Sequence, residues 1–344
     1  MPAVSVVIPV LNAARTLPRC LEALAALDPT PAEILLVDNG STDNSVALLT
    51  TFAREMGPQR VSIVREARRG AAAARNAGVR IAGGDIIAFT DADCVPAPDW
   101  VHHLRAPFSD GRVGAVAGRV MAARPASTVE LFSALYTLQA PDQPARHRRW
   151  TPWEGGFPTA NLGVRRALLV SLGGFDEQLG NFGEDYDLCA RLYTAGSELA
   201  YTPAARVAHC HRTTLIGMLR QAFGFGRSHP YMLRRHAGTG CWLDLPGRSL
   251  HWQACPFRAW VDLASADKKV MAILVAGMAH TPALWLFPLY AAWLVARASR
   301  RAQRMGQPVS PAAAFGLAGL LLLKSAAMTS GRWWGSLKYR SVCF

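Results

Sequence analysis

An α/β fold built on a mixed, mostly parallel sheet flanked by helices is what this sequence predicts, and three observations carry it. Short apolar runs alternate with helix-patterned segments four times between residues 4 and 89. The runs are largely apolar instead of alternating, and 86–89 is apolar throughout, as strands covered on both faces must be. Each also ends in a cluster of polar or turn-forming residues. In such a sheet the strand-end loops gather along one edge, where ligands bind.

The elements follow in order. Val4–Val10 is too short for the apolar core of a signal peptide and holds Pro9, so a first strand is expected there. Leu11, Leu17, Leu21, Leu24 and Leu27 mark the apolar face of a helix. Residues 32–37 form the second strand, and the turn cluster 38–43 follows it. Ser41 or Thr42 of that turn can cap a helix over 43–56. A third strand covers 61–64, and an Ala-rich helix over 70–81 is opened by Arg68-Arg69-Gly70. The fourth strand, 86–89, runs into Thr90-Asp91-Ala92-Asp93. Two more strands are expected at 113–121 and 199–207.

Composition narrows the function. The chain has 344 residues, enough for one large domain and an appendage. Its net charge of +13 favours anionic partners. The basic residues are spread over clusters at 146–149, 234–235 and 297–304, so no nucleic acid is expected as partner. The seven cysteines form no CxxC pair, which fits a reducing compartment and gives no zinc signature. Neither GxxxxGK[ST] nor GxGxxG follows a strand, which disfavours P-loop and hydride-transfer chemistry.

Asp91 and Asp93 are the residues around which the chemistry is organised. In extended chain, positions i and i+2 point to one side. Two neighbouring carboxylates repel, and a divalent cation carrying phosphates, Mg²⁺ or Mn²⁺, is the natural group between them. The other strand ends supply Pro9 and Asn12, Asp38 and Asp43, and Arg68 and Arg69. The acids can accept from a base or ribose, and arginines beside a helix N-terminus can hold phosphate. Taken singly these are ordinary residues: Asp38 reads as a helix cap, and Arg75 as a surface charge on its helix.

Ser5-Val-Val-Ile-Pro-Val-Leu-Asn12, Ile34-Leu-Leu-Val-Asp-Asn-Gly-Ser-Thr-Asp43, Arg69-Gly-Ala-Ala-Ala-Ala-Arg-Asn-Ala-Gly78 and Phe89-Thr-Asp-Ala-Asp93 together resemble family 2 glycosyltransferases of the membrane-associated bacterial type, which have the GT-A fold. The resemblance implies that Pro9, Asn12, Asp38, Arg69 and Asn76 line a nucleotide pocket. It implies that Asp93 binds Mn²⁺ or Mg²⁺ and that Asp91 reaches the ribose or the metal. Gly155-Gly-Phe-Pro-Thr-Ala-Asn161 resembles the family's acceptor-side loop. Gly183-Glu-Asp-Tyr-Asp-Leu188 resembles its acidic motif, which implies Asp185 as general base with Glu184 beside it and Asp187 orienting the helix. His209 and His211 are secondary metal or diphosphate candidates, and Arg227 is a candidate to cover the donor diphosphate. The implied partners are a nucleoside-diphosphate sugar and a lipid or glycan acceptor. Two other readings stay open: a sugar nucleotidyltransferase, and a non-catalytic membrane-bound binder of sugar nucleotides or glycans.

The expected layout is a catalytic domain over 1–230, with a nucleotide-sugar half to 120 and an acceptor half from 121, then a membrane-associated helical region over 231–344. Residues 270–296 carry no Asp, Glu, Lys or Arg. As one helix they would extend about 40 Å, beyond the roughly 30 Å hydrocarbon core. A second apolar run covers 311–328. Basic residues flank both runs on every side, against two simple spans. A segment bent at His280, Pro282 and Pro288 that re-enters, or helices lying in the interface, would keep every cluster on the cytoplasmic face of the inner (plasma) membrane. The closing Arg332-Trp-Trp-Gly-Ser-Leu-Lys-Tyr339 has interfacial character.

Overall fold

A computed structural model describes residues 2–137, 141–151, 155–179 and 181–344. The elements in chain order are β1 (Val4–Val10), α1 (Leu17–Ala25), β2 (Glu33–Asp38), α2 (Ser45–Met56), β3 (Val61–Arg65), α3 (Ala71–Ile81), β4 (Ile86–Phe89), β5 (Cys94–Pro96), α4 (Trp100–Arg105), β6 (Val113–Ala122), α5 (Thr128–Tyr136) and β7 (Ala145–His147). They continue with β8 (Leu162–Arg165), α6 (Arg166–Ser171), α7 (Glu184–Thr194), β9 (Glu198–His209), α8 (Leu215–His236), β10 (Gly240–Leu245), β11 (Arg248–Trp252), β12 (Arg258–Asp262), α9 (Ala266–Ala279), α10 (Leu286–Arg304), α11 (Pro311–Tyr339) and β13 (Val342–Cys343). They fall into two compact units, Met1–Arg124 with Leu138–Cys210, and Pro125–Thr137 with His211–Phe344.

The first unit is the expected sheet. Its strand order is β3-β2-β1-β4-β8-β6-β9-β5, with β7 also on β9. The four leading strands are mutually parallel, and antiparallel β8 joins them to the parallel pair β6 and β9. Helices cover both faces, because every inner strand is apolar on both. Along β1, Val4, Val6, Ile8 and Val10 join one core while Val7 joins the other.

The Ala-rich composition of α3 sets how near it lies to the sheet. A Cβ at Gly78 would stand 2.5 Å from Val7 Cγ1. Ala72, Ala74 and Ala77 are buried beside it, so small side chains let the helix settle onto β1 and β2. Gly118 in β6 is needed for a similar reason. Its Cβ would lie 2.4 Å from Ala205 O and 2.3 Å from the Asn161 amide nitrogen, which itself donates to Arg119 O and Ala205 O. Gly118→Ala is therefore expected to cost about 1–3 kcal/mol through overpacking. A urea midpoint equal to wild type would contradict this.

Helix α2 starts two residues later than the turn chemistry predicts. Its first amide is held by Asp43, which accepts from Ser45 N at 3.0 Å, while Ser41 Oγ accepts from Asn12 N. Ser41 and Thr42 are thus engaged with the β1 loop and do not cap.

The second unit holds α5, α8 and α9 to α11 with a small sheet of order β11-β10-β12-β13. That sheet is absent from the sequence reading, because 240–262 shows no clean alternation. Helices α8 and α11 touch backbone to backbone at glycines. A Cβ at Gly226 would meet Met328 O at 2.0 Å, and one at Gly331 would meet Phe223 O at 2.2 Å. Residues 270–296 are not one helix. An extended His280 and a 3₁₀ turn, Thr281–Trp285, separate α9 from α10. Among the described residues α11 is the helix long and apolar enough to cross a membrane, and it runs on to Tyr339. Trp333, Trp334 and Leu337 are exposed.

Candidate active site

The site is built where α3, the turn after β4 and the start of α7 meet. Arg75 is its centre. One nitrogen donates to Asp91 Oδ1 and another to Glu184 Oε1, each at 2.8 Å. Arg75 and Glu184 are each 3% exposed, so this is a buried three-membered charge cluster and not a surface pair. The guanidinium also lies over the Phe175 ring at 5.7 Å, and Phe175 packs edge-on against Phe89 at the end of β4. The expectation of a surface charge at Arg75 is overturned. Arg75 lies on the buried side of the helix, among Ala72, Ala73, Ala74, Ala77, Gly78 and Val79, while Arg80 takes the exposed side.

Other side chains of α3 and its loop fasten the same two halves together. The Asn76 amide donates to Phe175 O and Glu177 Oε1 and accepts from Phe175 N. Asn181 Oδ1 accepts from Ala71 N, and Asn39 Oδ1 accepts from Gly70 N. Two of the amides at this helix N-terminus are therefore taken by asparagines. Asn39, which the sequence reading passed over, also donates to Glu66 O and Arg68 O. Arg68 is bound to Glu66 and Glu177, and this pairing with Arg68 pulls the Glu66 carboxyl down to about 2. Arg69 is exposed.

Beside this lie the loops after β1 and β2. Asn12 adopts a left-handed backbone, φ 49°, and its side chain accepts from Thr42 N at 2.8 Å. Asp38 is buried and accepts from Ser41 N. Pro9 pairs in register with Val37.

The acids after β4 do not continue the strand. Cys94 N donates to Asp91 O at 3.0 Å, closing a turn that sends the two carboxylates to different partners. Asp91 faces Arg75, and Asp93 Oδ1 stands 3.5 Å from His209 Nε2. Asp93, His209 and Cys94 offer three ligand atoms within 4.8 Å of one another. Burial, then the charges of Asp93 and Asp91, push the Cys94 thiol well up, so it stays protonated. A hard divalent cation would therefore be held by the carboxylate and the imidazole, a set that fits Mn²⁺ or Mg²⁺ once donor phosphate oxygens and water complete it. Asp91 is not part of that cluster. His211 and Arg227 belong to the second unit, where His211 is buried and Arg227 half-buried on α8.

At the start of α7, Gly183 takes φ 92° and presents Glu184, Asp185 and Asp187 in the first turn. Acids there complement the helix dipole. Asp187 is buried and pairs with Arg191 at 2.8 Å, fixing the helix. Asp185 is half-buried, and its Oδ1 accepts from its neighbour's amide, Tyr186 N, at 2.9 Å. Desolvation, then the Glu184 charge, raise its carboxyl to about 7, against the opposing pull of Arg75. Burial raises Glu184 as well, with Arg75 opposing. Glu184 Oε2 has no hydrogen bond among the described residues. A carboxyl poised near neutrality beside a fixed ion pair is suited to taking up a proton.

Comparisons with known proteins bear on the family and the fold. Residues 5–173 match the model of glycosyl transferase family 2. The pre-mycofactocin glycosyltransferase of Mycobacterium tuberculosis is 32% identical over 259 residues, 72% of this chain and 52% of that protein, so the match takes in about half the relative's length. Glycosyltransferase AglE of Haloferax volcanii is 29% identical over 242 residues, covering 68% of this chain and 76% of that protein. A solved mannosyltransferase from Pyrobaculum calidifontis, in complex with GDP-Man and Mn²⁺, superposes with a TM-score of 0.57 at 22% identity, over 98% of this chain and 88% of that one. That likeness establishes the fold as GT-A. With its strand-end motifs inside residues 5–173 and this sheet beneath them, the chain belongs to glycosyl transferase family 2.

Proposed function

We propose that the protein is an inverting glycosyltransferase. It takes a nucleoside-diphosphate sugar and transfers the sugar to a hydroxyl of a lipid-linked, lipid or cell-surface glycan acceptor, at the cytoplasmic face of the inner membrane. The observation that carries the reading is the Arg75 bridge. By binding Asp91 and Glu184 at 2.8 Å each, it joins the donor-side turn and the acidic start of α7 in one cluster. Donor and acceptor must meet at such a place.

The roles follow from position. Pro9 and Asp38 close strands β1 and β2, and Asn12 and Arg69 sit on the loops beyond strand ends, the edge that receives base, ribose and phosphate. Asp93 and His209 would hold Mn²⁺ or Mg²⁺, which when bound offsets the charge that develops on the diphosphate leaving group. Asp185 takes the acceptor hydroxyl proton as that oxygen forms its bond to the anomeric carbon. The bond from the same carbon to the diphosphate breaks on the opposite side, so the configuration inverts. The Glu184 charge adds to burial in keeping the Asp185 proton affinity high.

Asp93→Ala tests the metal role. Calorimetric titration of UDP-, GDP- and dTDP-sugars with and without Mn²⁺ should show one donor whose metal-dependent binding the variant loses. The loss should exceed the roughly 10- to 100-fold that removing a supporting residue costs a metal site. Donor binding equal to wild type would remove Asp93 from the role.

A further inference from the structure

We propose that residues 270–296 form a helical hairpin that enters one leaflet of an anionic bilayer and returns, holding the second unit to a membrane without crossing it. The inference rests on the membrane placement in the reading above and is independent of the sugar chemistry.

The hairpin is built at its turn and at its base. Helix α9 stops at His280, whose φ of −149° and ψ of 98° are extended, and the 3₁₀ turn Thr281–Trp285 leads into α10. Gly277 lets that turn fold back, since a Cβ there would stand 2.3 Å from Leu284 Cδ2. Amides at the turn are bonded within it, His280 N to Ala276 O and Ala283 N to His280 O, which lowers the cost of placing it in lipid. At the base, the Tyr290 hydroxyl donates to Ala266 O at 3.4 Å. Lys269 also feels Arg297, whose charge adds to burial in lowering its pKa. Both ends of the apolar run therefore lie together.

Between turn and base the surface is apolar and open. From 271 to 289 only Ile273, Gly277 and Ala283 are not exposed. Met278 is 81% exposed, Trp285 74% and Leu289 67%. A helix packed on a protein core shows water a polar face, and these two show it an apolar one. The arm from 270 to 279 is about 15 Å long, half of a roughly 30 Å hydrocarbon core.

Charge selects the occupant. Residues 268–344 contain Lys and Arg but no Asp or Glu. Arg297, Arg300 and Arg304 are exposed directly after the apolar run, at headgroup level for an inserted hairpin. Helix α11 is bonded into its unit instead of standing free as a span. Lys324 donates to Tyr136 O, Thr329 to Asp267 and Arg332 to Asp262.

The test mixes the full chain with sealed vesicles of phosphatidylcholine, alone or with phosphatidylglycerol, and reads flotation. The wild type should float with the anionic vesicles. Met278→Asp combined with Leu289→Asp, both at exposed positions, should stay at the bottom of the gradient. Arg297→Gln with Arg300→Gln and Arg304→Gln should bind anionic vesicles roughly 10- to 100-fold more weakly and neutral ones about as before. Trypsin added outside should cut the wild type within 297–304. A cluster protected until detergent is added would mean a crossing and would overturn the hairpin. A wild-type chain that fails to float would overturn membrane attachment itself, leaving donor binding as a separate question.

Discussion

Asp185→Asn is expected to fold as the wild type does and to turn over about 10²- to 10⁴-fold more slowly, the usual contribution of a positioned base. The amide has the carboxylate's shape and cannot take a proton. Wild-type turnover should rise with pH through about 7, because desolvation and the Glu184 charge hold the Asp185 carboxyl there and only its ionised form is a base. The variant should lose that limb of the profile. Stability moves the other way. A carboxyl raised on folding stabilises the native state most fully below its ordinary value, and that contribution is lost as pH rises through about 7. Asn at this position removes a like charge beside Glu184, so the variant should be at least as stable as wild type at pH 8. A turnover profile identical to wild type would take Asp185 out of the mechanism.

Arg75→Ala should have the largest effect on stability. It would leave Glu184, 3% exposed, and Asp91 without their shared cation, and removing one member of a buried ion cluster costs about 3–5 kcal/mol. Arg75→Lys keeps the charge but has no planar fork to reach both carboxylates, so an intermediate loss is expected. Urea midpoints order the three proteins. The same substitution withdraws the positive charge that opposes the rise of the Asp185 carboxyl, so residual turnover should shift to higher pH. If Arg75→Ala matched wild type in midpoint and profile, the bridge would be incidental.

Much of the first unit was legible because its strands are continuous apolar runs that stop at polar clusters. Asp38, Asp91 and Asp93 stand out in the sequence by their place at strand ends, and the acids of α7 by the resemblance of 183–188 to a family motif. What tertiary packing decides was not legible. Arg75 looked like a surface charge because a single Arg on a helix is usually solvated, and only the close approach of the Ala-rich helix to β1 buries it. Extended geometry past Phe89 predicts Asp91 and Asp93 as a matched pair, but a turn bonded from Cys94 N to Asp91 O intervenes. Asn76 reads as a pocket residue by motif, yet its amide is committed to Phe175 and Glu177. In the second unit, strands β10 to β13 mix Trp, Arg and Asp without period, so only pairing partners distant in sequence reveal them.

Donor titration of the Asp185→Asn variant beside its turnover puts donor anchoring and proton removal to the test in one protein. Metal-dependent affinity for the sugar nucleotide should equal wild type while transfer to acceptor falls by about 10²-fold or more. Loss of donor affinity in step with transfer, or transfer that persists, would contradict a site in which one acid takes the proton and a separate cluster holds the donor.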